Sequence, residues 1–268
     1  MRCSGPQRPC AGILPDMKSP GSGKKRLDLL VVERGLAGSR QRAQSLIMAG
    51  HILVNDHPAD KPGSLVAENS EIVSRASDLA YVSRGGLKLE HALAAFEINV
   101  TGFSCLDAGA STGGFTDCLL QHGAARVYAV DVGYGQLAWQ LRQDPRVTVM
   151  ERFNIRHATE NDLPAGLDLA VIDVSFISLK IVVPAVQPFI RSGGTILPLI
   201  KPQFEVGKGE VGKGGVVRDP ALHNRIIEEL SDFFKQCGLI SGAVTPSPIF
   251  GPRGNREFVQ HLQVPAPG

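Results

Sequence analysis

The hydrophobic positions of the first third of the chain fall into two short helical patterns and two short strand patterns. Apolar side chains stand at positions 27, 30 and 31 and again at 43, 46 and 47, which is the spacing of one helix face. Gly35 and Gly50 are placed to end these two helices, and Ser39 is placed to begin the second. HILVN and SEIVSR are predicted strands, with DHPAD as a turn after the first. Together these elements predict a small α+β unit.

A different pattern begins near Phe103, where apolar strand-like runs alternate with amphipathic stretches. The predicted strands are FSCLD, ARVYAVD, VTVM, LDLAVID, GTILPLIK and EFVQHLQV. The clearest helix is ALHNRIIEELSDFFKQCGL, with Asp219 as its N-cap and Pro220 in the favoured first position. Such alternation predicts an α/β domain with a mostly parallel sheet and helices on both faces.

These patterns predict the domain organisation. A leader covers residues 1–23, the small unit covers 24–80, YVSRGG at 81–86 is a linker, and the α/β domain covers 87–268. The leader is interrupted by Pro and Gly, so it is predicted to be disordered and does not resemble a signal peptide. A chain of 268 residues with 43% apolar residues is long enough for one large domain and one small one.

The composition argues against a membrane-spanning protein, a disulfide-rich protein and a metal site. No run of about 18 apolar residues is present, so no membrane span is predicted. The five cysteines are odd in number and scattered without a C-x-x-C pair, which argues against a disulfide framework and a metal site and favours the cytoplasm. The formal net charge is only +2, so any surface for nucleic acid must be local.

Such a local charge lies at the start of the small unit. Between residues 24 and 50 there are six basic and two acidic residues, a local charge of +4. A basic helix pair can neutralise several phosphates. On charge alone, RNA binding and a merely solvated surface are equally open. The candidate RNA-binding residues are Lys25, Arg26, Arg34, Arg40 and Arg42.

The candidate cofactor site begins with LDAGASTGGFTD at 106–117, which follows a predicted strand and opens a helix. Its glycines allow close approach of the backbone to a ligand. Asp131, at the end of the next strand, is suited to hold the hydroxyls of an adenosine ribose. A dinucleotide or S-adenosylmethionine would fit, and the lack of G-x-G-x-x-G favours the second. The candidate residues are Asp107, Gly109, Ser111, Thr112, Gly113, Gly114, Phe115, Asp131, Val132 and Asn154. For Phe115, Val132 and Asn154, packing or loop capping is an equally good explanation.

Four charged residues lie at the ends of predicted elements and form the candidate catalytic group: Lys88, Asp173, Lys201 and Glu257. The carboxyl ends of parallel strands share one crevice, so Asp173 and Lys201 are expected there, and Glu257 joins them if its strand runs antiparallel. Residue types alone leave ordinary surface ion pairs open as an alternative. The Gly-rich stretch EVGKGEVGKGGVVR, with Lys208, Lys213 and Arg218, is interpreted as a mobile loop beside the active site. Closure over RNA phosphates is favoured by its position, and a merely solvated loop is the alternative.

Two resemblances bear on these candidates. Three stretches resemble the RNA-binding domain first described in ribosomal protein S-four: a basic residue with Leu-Asp at 26–28, Ser39–Ala43 and Ile47–Asn55. This resemblance implies recognition of structured RNA by its shape. The order Lys-Asp-Lys-Glu resembles the catalytic tetrad of the FtsJ (RrmJ) RNA ribose methyltransferases. The stretches VSRGGLKLEHAL, LDAGASTGGFTDCLL, VIDVSFISL, LIKPQFE and GPRGNREF are similar to those of the TlyA family, sometimes labelled hemolysins, over about 24–264.

The resemblance implies a Rossmann-like class I methyltransferase sheet behind a small N-terminal RNA-binding domain. It implies S-adenosylmethionine as cofactor, ribosomal RNA or ribosomal subunits as partners with no role for DNA, and 2′-O-methylation of a cytidine. Lys201 would act as general base once neutral, a state that positive neighbours favour and carboxylates oppose. A membrane-active hemolysin, a non-catalytic RNA-binding protein and a pseudouridine synthase are the alternatives, but the last leaves the glycine turn and Asp131 without a role.

Overall fold

A computed structural model describes residues 23–37, 39–48, 50–74, 80–207, 209–212 and 214–266. The chain divides into two compact units, Met1–Asp78 and Leu79–Gly268. The predicted leader at 1–23 lies outside the described residues except for Gly23. Among the residues that the structure describes, no helix combines the length and apolar composition needed to cross a bilayer.

The first unit is a pair of short helices beside two small antiparallel sheets. Its elements are β1 Lys24–Arg26, α1 Leu27–Glu33, α2 Arg40–Met48, β2 Ile52–Val54, β3 His57–Ala59, β4 Leu65–Ala67 and β5 Ile72–Ser74. One sheet pairs β1 with β4, and the other has the order β3-β2-β5. The predicted apolar faces of both helices are buried in one core with Ile52 and Ile72. The Ser39 hydroxyl accepts from the Arg42 backbone amide at 3.2 Å, which confirms the predicted start of α2.

Two details of the first unit differ from the sequence prediction. The turn is formed by Asn55, the last residue of the predicted strand HILVN, and by Asp56 of the predicted turn DHPAD, both with positive φ, and His57–Ala59 pairs back onto β2. Two successive residues with positive φ match the twist of a tight hairpin, and Asn and Asp tolerate that conformation better than other non-glycine residues. β1 and β4 were not predicted, because three-residue strands carry too little alternation to be seen.

The second unit is a seven-stranded sheet covered by helices. Its elements are α3 Gly85–Ala95, β6 Ser104–Ala108, α4 Gly114–Gln121, β7 Arg126–Asp131, α5 Trp139–Gln143, β8 Val147–Glu151, β9 Leu167–Ile172, α6 Leu179–Val186, β10 Ile190–Ile200, α7 Pro202–Glu205, α8 Pro220–Gln236, β11 Ile240–Pro246 and β12 Phe258–Gln263. The strand order is β11-β12-β10-β9-β6-β7-β8. The five strands β8, β7, β6, β9 and β10 run parallel, while β12 is antiparallel to both of its neighbours.

Buried side chains form two separate apolar clusters in this unit, one containing α3 and α4 residues and the other α6 and α8 residues. This arrangement confirms the predicted mostly parallel sheet with helices on both faces. The predicted cap of α8 is also confirmed, since the Asp219 carboxylate accepts from the Ala221 amide at 2.9 Å. β11 was not predicted, because its side chains are exposed or half-buried and its sequence lacks a continuous apolar run.

The predicted linker at 81–86 is corrected by the structure. Tyr81 is 5% exposed and packs in the apolar core of the second unit, and α3 already begins at Gly85. A Cβ on Gly86 would lie 2.2 Å from the Tyr81 ring, so the ring lies directly against the backbone of α3. This segment is folded because the Tyr81 ring is buried in the apolar core and Gly86 has no side chain to keep the ring away from α3.

Candidate active site

The turn between β6 and α4 has a backbone that only glycine can supply at two positions. Gly109 has φ +92°, and a Cβ there would lie 2.5 Å from the Asp173 carbonyl oxygen. Gly113 has φ +93°, and a Cβ there would lie 2.3 Å from Leu141 Cδ1. Both positions therefore combine a left-handed conformation with close contact. The turn is thereby held against the end of β9, where Asp173 follows Ile172.

Asp131 holds the glycine turn from the neighbouring strand. Its Oδ2 accepts from the Ser111 amide at 2.8 Å, and its Oδ1 accepts from the Gly133 amide at 2.6 Å. An ionised carboxylate has about four acceptor positions. Two remain for a ligand, and Asp131 is only half-buried, so it is suited to receive ribose hydroxyls at the open end of β7.

Asp107 lies beneath the turn. It is fully buried, its Oδ2 accepts from the Thr116 hydroxyl at 2.7 Å, and it does not line the cavity described next. Burial raises the pKa of Asp107 to about 7. Although Asp107 was predicted to bind the cofactor, in the structure its carboxyl binds Thr116 in the first turn of α4 and so stabilises the start of that helix.

A cavity of about 470 Å³ opens beside the glycine turn. Half of the predicted cofactor residues line it, namely Gly109, Ser111, Thr112, Gly114 and Phe115. Val132 is not among the lining residues and is 70% exposed. The Asn154 carboxamide oxygen accepts from the Arg156 amide at 3.1 Å, so the capping explanation offered for Asn154 is confirmed.

The four candidate catalytic residues form two ion pairs. Lys88 Nζ lies 2.5 Å from Glu257 Oε2, and Lys201 Nζ lies 2.5 Å from Asp173 Oδ1. Lys201 Nζ also donates to the Ser175 hydroxyl at 3.0 Å. Both lysine side chains are only 10% exposed. The predicted meeting of the four charges at one end of the sheet is supported, because Lys88, Asp173 and Lys201 line the same cavity.

Glu257 reaches this place because its strand runs antiparallel, as the sequence argument required. Phe258 pairs with Ile200, so the amino end of β12 lies beside the carboxyl end of β10. Glu257 is fully buried, and a Cβ on Gly251 would lie 2.0 Å from its Oε1. Gly251 lines the cavity and Glu257 does not, so the carboxylate lies behind Gly251 and orients Lys88.

Several cavity residues were missed by the sequence argument: Ser83, Arg84, Gly85, Ala110, Ser175, Ile249, Phe250 and Gly251. Ser83 and Ser175 lie in stretches that carry the family resemblance, which was the available signal. Ile249 and Phe250 follow β11, which was itself not predicted. The loop lysines Lys208 and Lys213 lie outside the described residues. Within the described ranges, no group of three His, Cys, Asp or Glu side chains is suited to hold a metal ion.

The candidate RNA-binding residues of the first unit are mostly engaged within the unit. Arg26 and Arg40 each approach Asp28 Oδ2 at 3.0 Å, and Lys25 lies 2.6 Å from Glu33 Oε1. Arg34 donates to two backbone carbonyls, those of Glu68 and Ser70. Arg42 has no ion pair among the residues that the structure describes. The group is thus partly structural, although the side chains of Arg26 and Arg40 remain 43% and 53% exposed.

The comparisons with known families match both units. Residues 81–264 match the FtsJ-like methyltransferase family. The chain belongs to this family. Residues 25–72 match the S4 domain. The family match spans the glycine turn, both ion pairs and the residues that line the cavity.

Individual relatives cover nearly the whole chain. The 16S/23S rRNA (cytidine-2′-O)-methyltransferase TlyA of Mycobacterium tuberculosis is 51% identical over 241 residues, covering 90% of each chain. YqxC of Bacillus subtilis, named as a candidate rRNA methyltransferase, is 49% identical and covers 92% of this chain and 88% of its own. A Streptococcus thermophilus protein named as a hemolysin has a solved structure with 43% identity and TM-score 0.71, covering 92% of this chain and 91% of its own.

The fold also occurs beyond these relatives. A solved Listeria monocytogenes protein named as a candidate S-adenosylmethionine-dependent methyltransferase has a TM-score of 0.51 at 14% identity, which supports the class of fold alone. Membership of this methyltransferase family implies S-adenosylmethionine as the methyl donor. The residues present fit such a ligand, because a glycine turn, an acceptor at Asp131 and a cavity that ends at two lysines lie in one unit.

Proposed function

We propose that this protein transfers the methyl group of S-adenosylmethionine to the ribose 2′-hydroxyl of a cytidine in ribosomal RNA. The observation that carries the proposal is the pair of lysine–carboxylate contacts in a cavity that the glycine turn also lines. The 51% identity to a 16S/23S rRNA (cytidine-2′-O)-methyltransferase over 90% of both chains supports the choice of substrate.

The cofactor would be held by the glycine turn, which lines the cavity, and by Asp131, which does not line it but accepts from the amide of the lining residue Ser111. Gly109 and Gly114 expose backbone at the start of α4, where the helix dipole favours a carboxylate such as that of the methionyl group. The half-buried carboxylate of Asp131 would accept from the ribose hydroxyls. When bound, S-adenosylmethionine would supply a methyl group on a sulfonium centre, from which a neutral thioether is a good leaving group.

Residues of this chain would accept the proton of the target hydroxyl and hold that hydroxyl in position. Lys201 Nζ would receive the proton that the target 2′-hydroxyl loses when it accepts the methyl group. Asp173 and Ser175 hold Lys201 Nζ in one position, and Glu257 holds Lys88 at the cavity wall. Holding the hydroxyl in line with the methyl group is itself a large part of such a rate enhancement.

The first unit would supply affinity for RNA. The S4 match at residues 25–72 and the local charge of +4 support binding to structured RNA through its phosphates and shape. We include free ribosomal RNA and both assembled subunits among the possible substrates, and the transfer assay distinguishes them.

The test is a transfer assay with methyl-labelled S-adenosylmethionine and ribosomal subunits, or free ribosomal RNA, that lack the modification. We expect label in a 2′-O-methylcytidine, which resists alkaline cleavage at its own phosphodiester. Lys201→Ala should reduce the rate about 10²–10⁴-fold, the range for loss of a general base. Cofactor binding, measured by calorimetry, should remain.

Lys235→Ala is the matched control, because Lys235 lies on α8 and pairs with Asp232 on the surface. It should transfer at the wild-type rate. Label on a base instead of a ribose would contradict the proposed reaction. Undiminished transfer by Lys201→Ala would remove Lys201 from its proposed role.

A further inference from the structure

The two residues that contact Lys201 Nζ come from a segment with little regular structure of its own. Asp173 and Ser175 belong to residues 173–178, between β9 and α6. Phe176, in the middle of this segment, has φ +63° and is 91% exposed. A non-glycine residue keeps such a conformation only where its surroundings hold it.

Lys201 is followed by an equally short element. α7 has only four residues, Pro202–Glu205, which is too short to be stable by itself. The backbones of Asp173 and Lys201 directly follow β9 and β10, so contacts between the segment after β9 and the helix after β10 act mainly on the alignment of their side chains and of Ser175.

Glu205 makes those contacts. Its Oε2 accepts from the Ser178 hydroxyl at 2.6 Å, and its Oε1 accepts from the Leu179 amide at 2.9 Å. Ser178 is also the N-cap of α6, where its hydroxyl accepts from the Lys180 amide at 3.1 Å. The carboxylate at the end of α7 is thus bound to the first turn of α6, which is a favourable place for negative charge.

A ring contact lies beside these hydrogen bonds. The Phe176 and Phe204 rings have centroids 4.9 Å apart, within the range of favourable aromatic pairs. Glu205 does not line the cavity. Its contacts act only on the two segments that carry Asp173, Ser175 and Lys201.

We propose that Glu205 is a positioning residue of the transfer reaction, whose carboxylate ties residues 173–178 to α7 and so aligns Asp173 and Ser175 on Lys201. This inference rests on the proposed function. It predicts a defect in the rate of transfer without a defect in cofactor binding, because the glycine turn and Asp131 make no contact with Glu205.

The experiment compares Glu205→Ala, Glu205→Gln, Ser178→Ala and Ser178→Thr in the full-length protein. The single-turnover rate on subunits at saturating S-adenosylmethionine is measured beside the cofactor Kd. Glu205→Ala should lower the rate by about 10²-fold, the effect of a misplacement near 1 Å, with the cofactor Kd unchanged. Glu205→Gln can still accept from Leu179 and should be faster than Glu205→Ala. Ser178→Thr keeps the hydroxyl and should be faster than Ser178→Ala.

Asp168→Asn is the matched control. Asp168 lies near the amino end of β9, where it accepts from the Ser104 amide at 2.9 Å and pairs with Arg191 at 2.7 Å. This control should keep the wild-type rate, even if its melting temperature falls as far as that of Glu205→Ala.

Three results would overturn the assignment: a wild-type rate for Glu205→Ala, a rise in cofactor Kd that accounts for its lost rate, or an equal loss in Asp168→Asn. Absence of transfer by the wild-type protein would instead refute the proposed function, which the wild-type arm shows before any variant is compared.

Discussion

At the scale of single residues, two buried aspartates show how their surroundings can shift the pKa of a carboxyl group either down or up. Asp28 accepts from Arg26, Arg40 and Gln44, and these donors hold the pKa of its carboxyl well below the usual range. Asp107 has the Thr116 hydroxyl as its side-chain donor, and burial raises its pKa to about 7. Asp28 therefore favours folding in its charged form, whereas ionisation of Asp107 opposes folding.

Asp107→Asn should accordingly stabilise the second unit at alkaline pH. The folded pKa near 7 exceeds the unfolded value of about 3.9, so the contribution of Asp107 to stability declines as the pH rises between these values. The melting temperature of Asp107→Asn should exceed that of the wild type most clearly at pH 8, and the difference should shrink toward pH 4. A lower melting temperature for the variant at every pH would contradict this assignment.

At the scale of elements, the segment between β7 and α5 is held from both sides. Glu151, the last residue of β8, forms an ion pair with Arg142 of α5 and accepts from the Gly135 amide at 2.9 Å. Arg142 Nε also donates to the Leu137 carbonyl at 3.1 Å. The Glu151–Arg142 pair thus supports the loop that begins at Asp131, on the cofactor side of the site. We expect this pair to affect cofactor binding, whereas Glu205 is expected to affect the rate of transfer.

Glu151→Ala should therefore weaken cofactor binding and spare the transfer rate at saturating cofactor. Loss of hydrogen bonds to a charged group corresponds to about a tenfold increase in Kd. Asp144→Ala is the control, since Asp144 follows α5 and pairs with Arg146 without contacting this loop. Calorimetry measures the Kd of both variants for S-adenosylmethionine. An unchanged Kd for Glu151→Ala would show that cofactor binding does not depend on the contacts of Glu151 with this loop.

At the scale of the whole molecule, the features proposed for RNA affinity and those proposed for methyl transfer lie in different units. The first unit matches the S4 domain and carries the local positive charge, whereas the second matches the FtsJ-like methyltransferase family and contains the cavity. The arginines of the first unit have different duties, because Arg40 compensates the buried Asp28 and Arg42 has no ion pair within the described residues.

Arg42→Ala should therefore reduce affinity for ribosomal RNA and leave folding intact. Loss of one phosphate contact should lower the salt slope of log K by about one. Arg40→Ala should instead lower the melting temperature of the first unit, because it removes a partner of buried Asp28. Filter binding at several salt concentrations measures the slope, with exposed Arg126 of β7 changed to Ala as control. A slope unchanged in Arg42→Ala would exclude this phosphate contact.

Local features were determined by the sequence itself. Helix faces at 3.6-residue spacing, the Asp219 cap and the glycine turn depend on neighbours within a few residues, so the chain shows them without a fold. The identities of Lys88, Asp173, Lys201 and Glu257 could be proposed from their positions at element ends and from the family resemblance. The hairpin at Asn55 and Asp56, the strand β11 and the burial of Tyr81 were beyond these local patterns.

Only the tertiary structure decided which groups meet. Lys88 and Glu257 are 169 positions apart, and their contact depends on an antiparallel last strand that brings the start of β12 beside the end of β10. Asp107 and Glu205 acquired their places in the same way, one beneath the glycine turn and the other between α6 and α7. Sequence spacing specifies local conformation, whereas burial, partner choice and alignment arise from packing between distant segments.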